Sequence, residues 1–349
     1  MKIFFSGELG GRWMSGWQRY QALEDLGHQL IPFEQGDYLR RATLRKPIRV
    51  LTGKYNNEKV VGEFNRSILE AMLRAQPEVV WLEWPIILCR ETLERAVEKL
   101  PESRFVSFQD DNPFGSRPEE QERWQHFLEA IPQYDLHLAK RTSDVLALRD
   151  RGAKEVRQFT HGFYAPLFRP LPIESVPSAL RQPVSFVGTP LDHRVGMIAE
   201  LMSRHRVQLR VYGNRWNRTL PYYQHWTCFR AEVLAEDYVK VICGSRICLG
   251  FVSSSNGDEY SMRTFEVPAC RGFFLAERTA SHQELYEEGK EAEFFGSTEE
   301  CADKIRFYLK NDAERERIAE GGYRRCMDSD YSLRKRLANA VDQIAASRN

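Results

Sequence analysis

The sequence of 349 residues lacks an excess of charge of either sign, because 50 Lys and Arg residues stand against 49 Asp and Glu residues. A net charge of +1 argues against a partner bound by a whole basic face, and we expect no nucleic-acid binding. Paired cysteine motifs are also missing. The seven cysteines are scattered and none forms a C-x-x-C motif, which predicts reduced thiols and a cytoplasmic location.

Long hydrophobic runs are missing as well. The apolar start of the chain, residues 1–7, ends at a glycine and is too short for a signal peptide or a membrane span. Since there is no H-E-x-x-H motif and no cysteine cluster, the sequence predicts no metal site and no cofactor. What is present is an ordinary globular composition, 42% hydrophobic and 28% charged, in a length that favours two domains.

Short apolar runs alternate with stretches of helical period along the whole chain. The runs predict strands at residues 2–6, 29–33, 79–84, 104–109, 136–140, 184–188, 207–212, 247–252, 273–276 and 293–295. Helix-like segments lie between them at residues 17–26, 63–75, 90–99, 118–130, 143–151, 195–204, 231–242, 260–271 and 298–310. Strands of about five residues with intervening helices are typical of βαβ units around a parallel sheet. The sequence therefore predicts an α/β protein with two similar domains in tandem.

Prolines between residues 166 and 183 mark the predicted boundary, because proline continues neither a helix nor a central strand. We predict a first domain at residues 1–165 and a second at 175–329. The helical tail, 330–349, is a candidate to pack back on the first domain. A ligand site is expected in the cleft of such a bilobed chain, where the carboxyl ends of the strands point.

The most informative segment runs from Ser253 to Gly272. A predicted strand ends in a Ser/Asn/Gly loop, and the following helix would begin near Tyr260 and Ser261, where free N–H groups could hold a phosphate. Glu266 lies at the edge of the buried stripe of that helix, where a carboxylate needs hydrogen-bond donors such as a ribose diol. The alternative is a weak surface pair between Glu266 and Arg263.

The stretch from Arg263 to Glu277, RTFEVPACRGFFLAE, resembles the donor-site helix of GT-B glycosyltransferases. It is most similar to the CgeB-like group, which is distantly related to the family 4 enzymes. The resemblance implies that Glu266 binds the ribose of a nucleotide-sugar. It also implies an acidic residue eight positions earlier, where Asp258 replaces the more frequent glutamate. Residues 160–170 and 185–194 resemble the interdomain linker and the first strand and loop of the donor domain in these enzymes. The implied fold is GT-B, two Rossmann-like domains with parallel sheets facing across a cleft.

Further donor-binding candidates follow two predicted strands of the second half. Gly188 would let the backbone approach a ligand, and Arg194 would pair with a diphosphate, with Arg263 as a second candidate. The alternative for Arg194 is a solvated helix face. The resemblance implies that the loop at Tyr212 and Gly213 lies near the nucleotide base, where Tyr212 would either stack on the base or belong to the core.

In the first half, residues 6–12 lack the G-x-G-x-x-G spacing of a dinucleotide site, and the resemblance implies an acceptor-side loop at Glu8, Gly10 and Gly11. The candidates for a general base are Asp110 and Asp111, which follow a predicted strand, with His161 and Glu8 as further candidates. The alternative for the aspartates is an N-cap followed by an Asx-Pro turn at residues 111–113.

Six basic residues and no acidic residue stand between Arg40 and Lys54. We interpret this basic segment first as a solvated face. The alternatives are that it binds an anionic acceptor or makes a peripheral contact with a membrane surface.

Together these features predict a metal-independent hexosyltransferase that moves a sugar from a nucleotide-diphosphate sugar to a hydroxyl group of a glycan, protein or small-molecule acceptor. A GT-B-like sugar-nucleotide epimerase and a non-catalytic nucleotide-sugar-binding protein are the alternatives.

Overall fold

In the computed structural model, which describes residues 1–52, 54–115 and 118–346, the chain divides after Thr160. The first unit comprises residues 1–160 together with the residues from Arg336 onward, and the second unit comprises residues 161–335. The sequence prediction set this boundary a few residues later, between 165 and 175. The second unit starts before the prolines because the amide of Phe163 donates to the carbonyl of Tyr331, and the amide of Leu333 donates back to Phe163.

A parallel sheet of six strands forms the centre of the first unit, in the order β2-β1-β3-β4-β5-β6. Its strands are β1 (Lys2–Gly7), β2 (Gln29–Glu34), β3 (Val79–Glu83), β4 (Arg104–Gln109), β5 (Leu136–Ala139) and β6 (Val156–Gln158). The central strands β1, β3 and β4 are buried on both faces, which explains their continuous apolar runs. The edge strand β2 is half-exposed and tolerates Pro32.

Seven helices of the described residues accompany this sheet. They are α1 (Ser15–Asp25), α2 (Gly36–Ala42), α3 (Lys46–Thr52), α4 (Glu58–Ala75), α5 (Arg90–Lys99), α6 (Pro118–Ala130) and α7 (Thr142–Asp150). Helix α4 begins five residues before its predicted start, because the side chain of Asn57 accepts a hydrogen bond from the amide of Lys59 and caps the helix. The apolar faces meet in a core that includes Phe4, Phe64 and Phe105.

The second unit repeats the architecture, with a six-stranded parallel sheet in the order β12-β11-β10-β7-β8-β9. Its strands are β7 (Gln182–Val187), β8 (Leu209–Tyr212), β9 (Phe229–Arg230), β10 (Ser245–Gly250), β11 (Phe274–Glu277) and β12 (Glu293–Phe295). The helices are α8 (Arg194–Ser203), α9 (Leu220–Gln224), α10 (Ala235–Gly244), α11 (Arg263–Ala269), α12 (Ala280–Leu285), α13 (Thr298–Lys310) and α14 (Asp312–Asp328). Phe186, Trp216 and Phe251 lie in its core.

The tail of the chain is helix α15 (Leu333–Ala346), which follows a break after α14. From Arg336 onward this helix is grouped with the first unit, where Nη1 of Arg157 donates to Oε1 of Gln343 at 2.5 Å. Across the described residues, each helix is too short or too polar to cross a membrane.

All ten predicted strands are present, and the α/β class with two parallel sheets is confirmed. The sequence patterns missed β6 and β9, which are the last strands at their sheet edges and only three and two residues long. They also missed the short helices α2, α3, α9 and α12, whose lengths allow at most two turns of helical period.

Candidate functional site

In the first unit the chain runs from β1 to β2 on one side of the sheet and then continues with β3 on the other side of β1. The strand order therefore reverses between β1 and β3, which makes this position a switch point. Ligands of open α/β sheets bind outside the carboxyl ends of the strands at such a point. A cavity of about 200 Å³ lies there, lined by residues that follow β1, β2, β3 and β4 and by the start of α1. The first unit therefore carries its own candidate binding site.

A buried ion pair forms one wall of this cavity. Nε and Nη2 of Arg19 donate to the two carboxylate oxygens of Glu83 at 2.5 and 2.8 Å, and Nη2 also donates to Oγ of Ser15 at 3.0 Å. Burial alone would lower the pKa of Arg19, but the Glu83 carboxylate outweighs that effect and raises it. The side chain of Gln35 donates to the Glu83 carbonyl at 2.6 Å. Several hydrogen bonds thus hold this wall together.

Trp84 comes directly after Glu83 in the chain, and its backbone lies in the left-handed region, with a φ of 45°. A tryptophan in this conformation is strained by about 1–3 kcal/mol, and such strain concentrates at functional sites. Its indole Nε1 donates to Oδ1 of Asp110 at 2.5 Å, and the guanidinium of Arg123 lies 4.8 Å from the ring centre. The indole that lines the cavity is therefore held in one orientation.

Glu8 contributes a second carboxylate to the cavity. Burial, together with the negative charges of Glu34 and Asp110, raises the pKa of Glu8. Gly16 permits the close approach of α1, because a Cβ there would lie 2.9 Å from the Glu8 carbonyl and 3.0 Å from Oε2 of Glu83. The structure thus brings Glu8 and Asp110, both predicted from the sequence, into one cavity.

The other site residues predicted in the first half are not among the residues that line the cavity. Asp111 does not line the cavity, and its Oδ2 lies 3.5 Å from Nη1 of Arg123. Gly10 is exposed, and neither Gly10 nor Gly11 lines the cavity. Sequence reasoning missed Arg19 and the pair Glu83–Trp84. The position of that pair, at the end of a predicted strand, was the only signal available.

The basic segment between residues 40 and 54 is partly neutralised. Arg40 pairs with Asp37 at 3.1 Å, and Arg41 pairs with Glu63 at 2.7 Å. Leu51 is strongly exposed at the end of α3. A solvated face, an anionic acceptor and a membrane contact remain alternative predictions for this segment.

The second unit has a corresponding switch point between β7 and β10. Here Gly188 follows β7, and a Cβ on it would lie 2.7 Å from Nη2 of Arg263. Gly213 follows β8 with a φ of 156°, and a Cβ on it would lie 2.2 Å from the Gly188 carbonyl oxygen. That carbonyl accepts a hydrogen bond from Nε1 of Trp216 at 2.8 Å. A Cβ at Gly213 would collide with backbone, whereas a Cβ at Gly188 would meet the ends of the Arg263 and Phe186 side chains, so the two loops pack closely together.

Two arginines meet at this switch point. The guanidinium carbons of Arg194 and Arg263 lie 6.0 and 5.5 Å from the ring centre of Phe186. Burial, followed by the positive charge of Arg263, lowers the pKa of Arg194 to about 10. Two cations that repel each other in a shared site favour an anion that neutralises both.

Arg194 is itself bonded to the surrounding loops. It is 4% exposed, Nη2 donates to the Val252 carbonyl at 3.1 Å, and Nη1 donates to the Thr189 carbonyl at 3.4 Å. Its Nε is buried and has no hydrogen-bond partner among the described residues. The solvated helix face considered from the sequence is therefore wrong for Arg194, whereas Arg263 is only half-buried.

Three residues that the sequence analysis did not select connect the same loops. Asp192 accepts hydrogen bonds from Oγ of Ser253 at 2.8 Å and from the amide of Ser255 at 3.3 Å. His193 pairs through Nε2 with Glu277, whose Oε2 accepts from the amide of Val252 at 2.6 Å. These contacts hold the loops after β7 and β10 together. Asp192, His193 and Glu277 lie in the segments that carry the resemblance, but their types alone indicated no role.

Glu266 is buried, with 6% of its surface exposed, in helix α11. Burial raises its pKa to about 7, although the charge of Arg263 and a hydrogen bond from Tyr238 act in the opposite direction. The hydroxyl of Tyr238 donates to Oε2 of Glu266 at 3.1 Å. A surface pair between Glu266 and Arg263 is thus wrong, and the carboxylate occupies a site where further hydrogen-bond donors would stabilise its charge.

The helix predicted over residues 260–271 begins only at Arg263 and has seven residues. The amides of its first turn are already bonded, since Thr264 donates to the Ser261 carbonyl and Phe265 and Glu266 donate to the Met262 carbonyl. The amide of Ser261 donates to Oγ1 of Thr264 at 3.2 Å. These four amides are therefore not available to a phosphate in this conformation, and an anion-binding role of Arg194 and Arg263 stays a prediction.

The remaining predicted residues surround this helix. Tyr260 is buried, with its ring edge-on to the rings of His161 and Phe265. His161 is buried as well. Asp258 lies half-buried in the preceding loop, where Nδ2 of Asn256 donates to its Oδ2 at 3.2 Å. Its contact with a donor stays a prediction.

Tyr212 is buried and its hydroxyl donates to Oε1 of Gln182 at 2.9 Å. The placement favours the core role over base stacking, because only 2% of the residue is exposed. Trp216 is buried to the same extent.

One group of described side chains brings metal-ligand atoms within 4.8 Å of one another: Glu200, His205 and Glu299. Arg204 forms ion pairs with both glutamates at 2.7 and 2.9 Å, so a positive charge already occupies this position. The group is part of the exposed charge pattern of α8 and α13.

Residues 194–342 match a family model described as glycosyl transferase-like. The match covers most of the second unit and extends into helix α15. Among solved structures, sucrose-phosphate synthase from Thermosynechococcus elongatus is 12% identical, with a TM-score of 0.66 and 99% of both chains covered. Anabaena HepE, solved in complex with UDP-glucose, is 12% identical, with a TM-score of 0.67 and 99% of this chain and 100% of that chain covered. The fold is GT-B.

A third GT-B structure, a candidate UDP-N-acetylglucosamine 2-epimerase from Listeria monocytogenes, is 11% identical. Its TM-score is 0.59, and 99% of this chain and 97% of that chain are covered. The comparison with curated proteins gives no sequence match. At these identities the neighbours establish the GT-B fold alone, and the family-model match covers residues 194–342.

Proposed function

We propose that this chain is a glycosyltransferase that moves a sugar from a nucleotide-diphosphate sugar to an acceptor hydroxyl group. The observation that carries the proposal is the coincidence of two findings. Residues 194–342 match the glycosyl transferase-like family model, and Arg194, Arg263 and Glu266 lie within that match around the β7/β10 switch point. Their position supports the proposal, because ligands of open α/β sheets bind at such a switch point.

The donor would be held by two kinds of contact. The guanidinium groups of Arg194 and Arg263 would neutralise the diphosphate and stabilise it as it leaves, without a metal ion. The carboxylate of Glu266 would accept hydrogen bonds from ribose hydroxyls. The complex of Anabaena HepE with UDP-glucose supports a nucleotide-diphosphate sugar as the donor and makes UDP-sugars the first to test.

The acceptor hydroxyl would lose its proton to a carboxylate of the first unit. Glu8 and Asp110 are the candidates in the cavity, and the raised pKa of Glu8 brings this carboxyl nearer to the range in which a general base works at neutral pH. Asp111 and His161 stay alternative candidates. We further propose membership of the CgeB-like group on the motif from Arg263 to Glu277, and a cytoplasmic location on the scattered cysteines.

Thermal denaturation in the presence of UDP, GDP, dTDP, ADP or CDP would identify the nucleotide, because a ligand well above its dissociation constant stabilises by a few kcal/mol. The matching sugar nucleotides are then incubated with and without a mixture of candidate acceptors, and the products are separated by liquid chromatography and identified by mass spectrometry and NMR, since epimers have the same mass. A product in which the sugar is linked to the acceptor would demonstrate transfer. A rearranged sugar nucleotide formed from donor alone would instead indicate the epimerase, and binding without any product would indicate a non-catalytic protein.

An Arg263→Ala variant provides the matching test of the site. We expect it to lose most of the nucleotide-dependent stabilisation, whereas Arg306→Ala, which removes an exposed arginine of α13, retains it. Equal stabilisation of both variants would place the donor elsewhere.

A further inference from the structure

A second cavity lies in the second unit, at the amino ends of β7 and β8. It measures about 430 Å³ and is lined by the starts of these two strands and by the segment that leads into β9. At about 3.3 Å per residue, the six residues of β7 separate this end of the strand from Gly188 by about 20 Å. The cavity is therefore distinct from the β7/β10 switch point, and its volume falls within the roughly 300–1,000 Å³ of small-molecule sites.

The register of the sheet places two arginines on the same face at this cavity. Arg230 of β9 pairs with Tyr212 of β8, and Arg210 stands two residues before Tyr212. Because side chains alternate along a strand, these three side chains point to one face of the sheet. On the other face, Val211 and Phe229 pack into the core. Both arginines line the cavity.

The guanidinium groups of the two arginines meet at one backbone oxygen. Nη1 of Arg210 donates to the Thr227 carbonyl at 2.9 Å, and Nη1 of Arg230 donates to the same carbonyl at 2.7 Å. The Phe229 carbonyl also accepts from Nη1 of Arg230, at 2.8 Å. Burial raises the pKa of the Tyr212 hydroxyl, and both guanidinium charges act in the opposite direction. Two like charges are thus held close together.

No carboxylate neutralises this pair among the described residues. The chain has no Asp or Glu between Glu200 and Glu232, a stretch that holds six arginines. Glu232 itself accepts a hydrogen bond from Nδ2 of Asn214 at 3.3 Å. Within the part of the chain that the structure describes, Arg210 and Arg230 form no ion pair, and their Nε and Nη2 groups make no hydrogen bond. These groups can therefore donate to a ligand.

The amide of Gln182 is a neutral part of the same lining. Its Oε1 accepts from the Tyr212 hydroxyl at 2.9 Å, and its Nε2 donates to Oγ of Ser245 at 2.8 Å. The charge of the described lining thus comes from the two arginines. A phosphate monoester carries a charge of about −1.5 to −2 at neutral pH and accepts paired hydrogen bonds from guanidinium groups, so it matches two cations better than a carboxylate does.

We propose that this cavity is a second ligand site, which binds the phosphate group of a phosphorylated molecule between Arg210 and Arg230. A free phosphate ester and the headgroup of phosphatidic acid offer the same group. The site lies at the opposite end of β7 from the proposed donor site, so its occupation requires neither a nucleotide nor sugar transfer.

The test uses isothermal titration of the full chain at constant ionic strength with inorganic phosphate, glucose 6-phosphate and glucose. We expect glucose 6-phosphate to bind at least about tenfold more tightly than glucose, and its affinity should fall at least about tenfold in Arg210→Gln and in Arg230→Gln. Each substitution removes one positive charge and its guanidinium donors. The control Arg306→Gln removes an exposed arginine of α13 and should keep the wild-type affinity.

Co-sedimentation with phosphatidylcholine vesicles that contain phosphatidic acid distinguishes the two sources of the phosphate group. Binding of glucose 6-phosphate would identify free esters as ligands, and binding to these vesicles alone would identify a lipid headgroup. In either case the binding must weaken in both cavity variants.

Thermal denaturation of each variant verifies that it is folded. The proposal is overturned if no phosphate-bearing probe binds, if glucose binds as tightly as these probes, or if both cavity variants keep the wild-type affinity. Loss of glucose 6-phosphate binding in Arg263→Ala alone would place the phosphate in the proposed donor site and would also overturn it. Arginine-dependent phosphate binding without transfer from any sugar nucleotide would overturn the proposed function and support this site, whereas transfer without such binding would do the reverse.

Discussion

Tyr238 and Glu266 form a partly buried hydrogen bond in the second unit, in which the tyrosine hydroxyl donates to Oε2 at 3.1 Å. The two residues lie on consecutive helices, α10 and α11, where Glu266 is buried and Tyr238 is half-buried. Burial raises the pKa of both groups, that of Glu266 to about 7. The carboxylate thus has one donor and the capacity for more, as a ribose-binding group requires.

Glu266→Ala should weaken nucleotide binding by about 1–3 kcal/mol, because the ribose hydroxyls would lose their acceptor. Tyr238→Phe should weaken it less. Without the tyrosine donor the pKa of Glu266 rises further, and less of the ionised carboxylate is present at neutral pH. Isothermal titration with the identified nucleotide at pH 6, 7 and 8 measures both effects. Unchanged affinity in folded Glu266→Ala would remove Glu266 from the donor site.

The same carboxyl should make stability depend on pH in a defined window. Its folded-state pKa of about 7 lies above the ordinary 4.5, so its contribution to stability is complete below about pH 4.5 and is lost as the pH rises through 7. The full loss is about 3 kcal/mol as an upper bound. Relative to Glu266→Gln, the wild-type protein should lose stability between pH 5 and 8. Denaturant unfolding across this range measures the difference.

A control variant, Glu284→Gln, removes an exposed carboxyl of α12 and should leave the pH dependence of the wild type in place. If the difference between the wild type and Glu266→Gln is the same at pH 5 and pH 8, the carboxyl does not titrate in the folded protein as its burial requires.

Gly213→Ala should destabilise the protein by about 1–3 kcal/mol, because its φ of 156° and the nearby Gly188 carbonyl leave no room for a Cβ. Gly196 is the matched control. It lies inside α8, and a Cβ added to it would meet no described atom within 4 Å, so Gly196→Ala should stabilise the protein by up to about 1 kcal/mol. Thermal denaturation of the two variants should give shifts of opposite sign, and a shift of the same sign would contradict the close packing of the two strand ends.

Arg194→Ala should reduce the affinity for a nucleoside diphosphate more than the affinity for the corresponding nucleoside, because the guanidinium faces the diphosphate in the proposed complex. Some loss of stability is also expected, since the side chain donates to the carbonyls of Thr189 and Val252. Titration with both ligands and a denaturation curve separate the two effects. Equal losses for diphosphate and nucleoside would show that Arg194 acts only by holding these loops.

The donor half of the candidate site was largely predictable from local sequence. Arg194, Arg263, Gly188 and Glu266 lie in segments whose strand-loop-helix pattern indicates ligand binding at the carboxyl ends of strands. The start of α11 was not predictable, because the bonding of its first-turn amides to Ser261 and Met262 depends on the local backbone path rather than on residue type.

The cavity of the first unit was visible only in part. Glu8 and Asp110 follow predicted strands, but the ion pair between Arg19 and Glu83 joins residues 64 positions apart. The left-handed backbone of Trp84 could not be predicted from its residue type, because tryptophan rarely adopts this conformation.

The sequence by itself determined the alternation of strands and helices, because hydrophobic periodicity and proline act over a few residues. It also determined the class of fold, since short buried strands that alternate with helices favour βαβ units and a parallel sheet. The tertiary structure alone decided the order of the strands, and the strand order placed Arg19 against Glu83 and Tyr238 against Glu266. Charges become buried, paired or shifted in pKa only through such contacts between distant segments, and no local pattern encodes them.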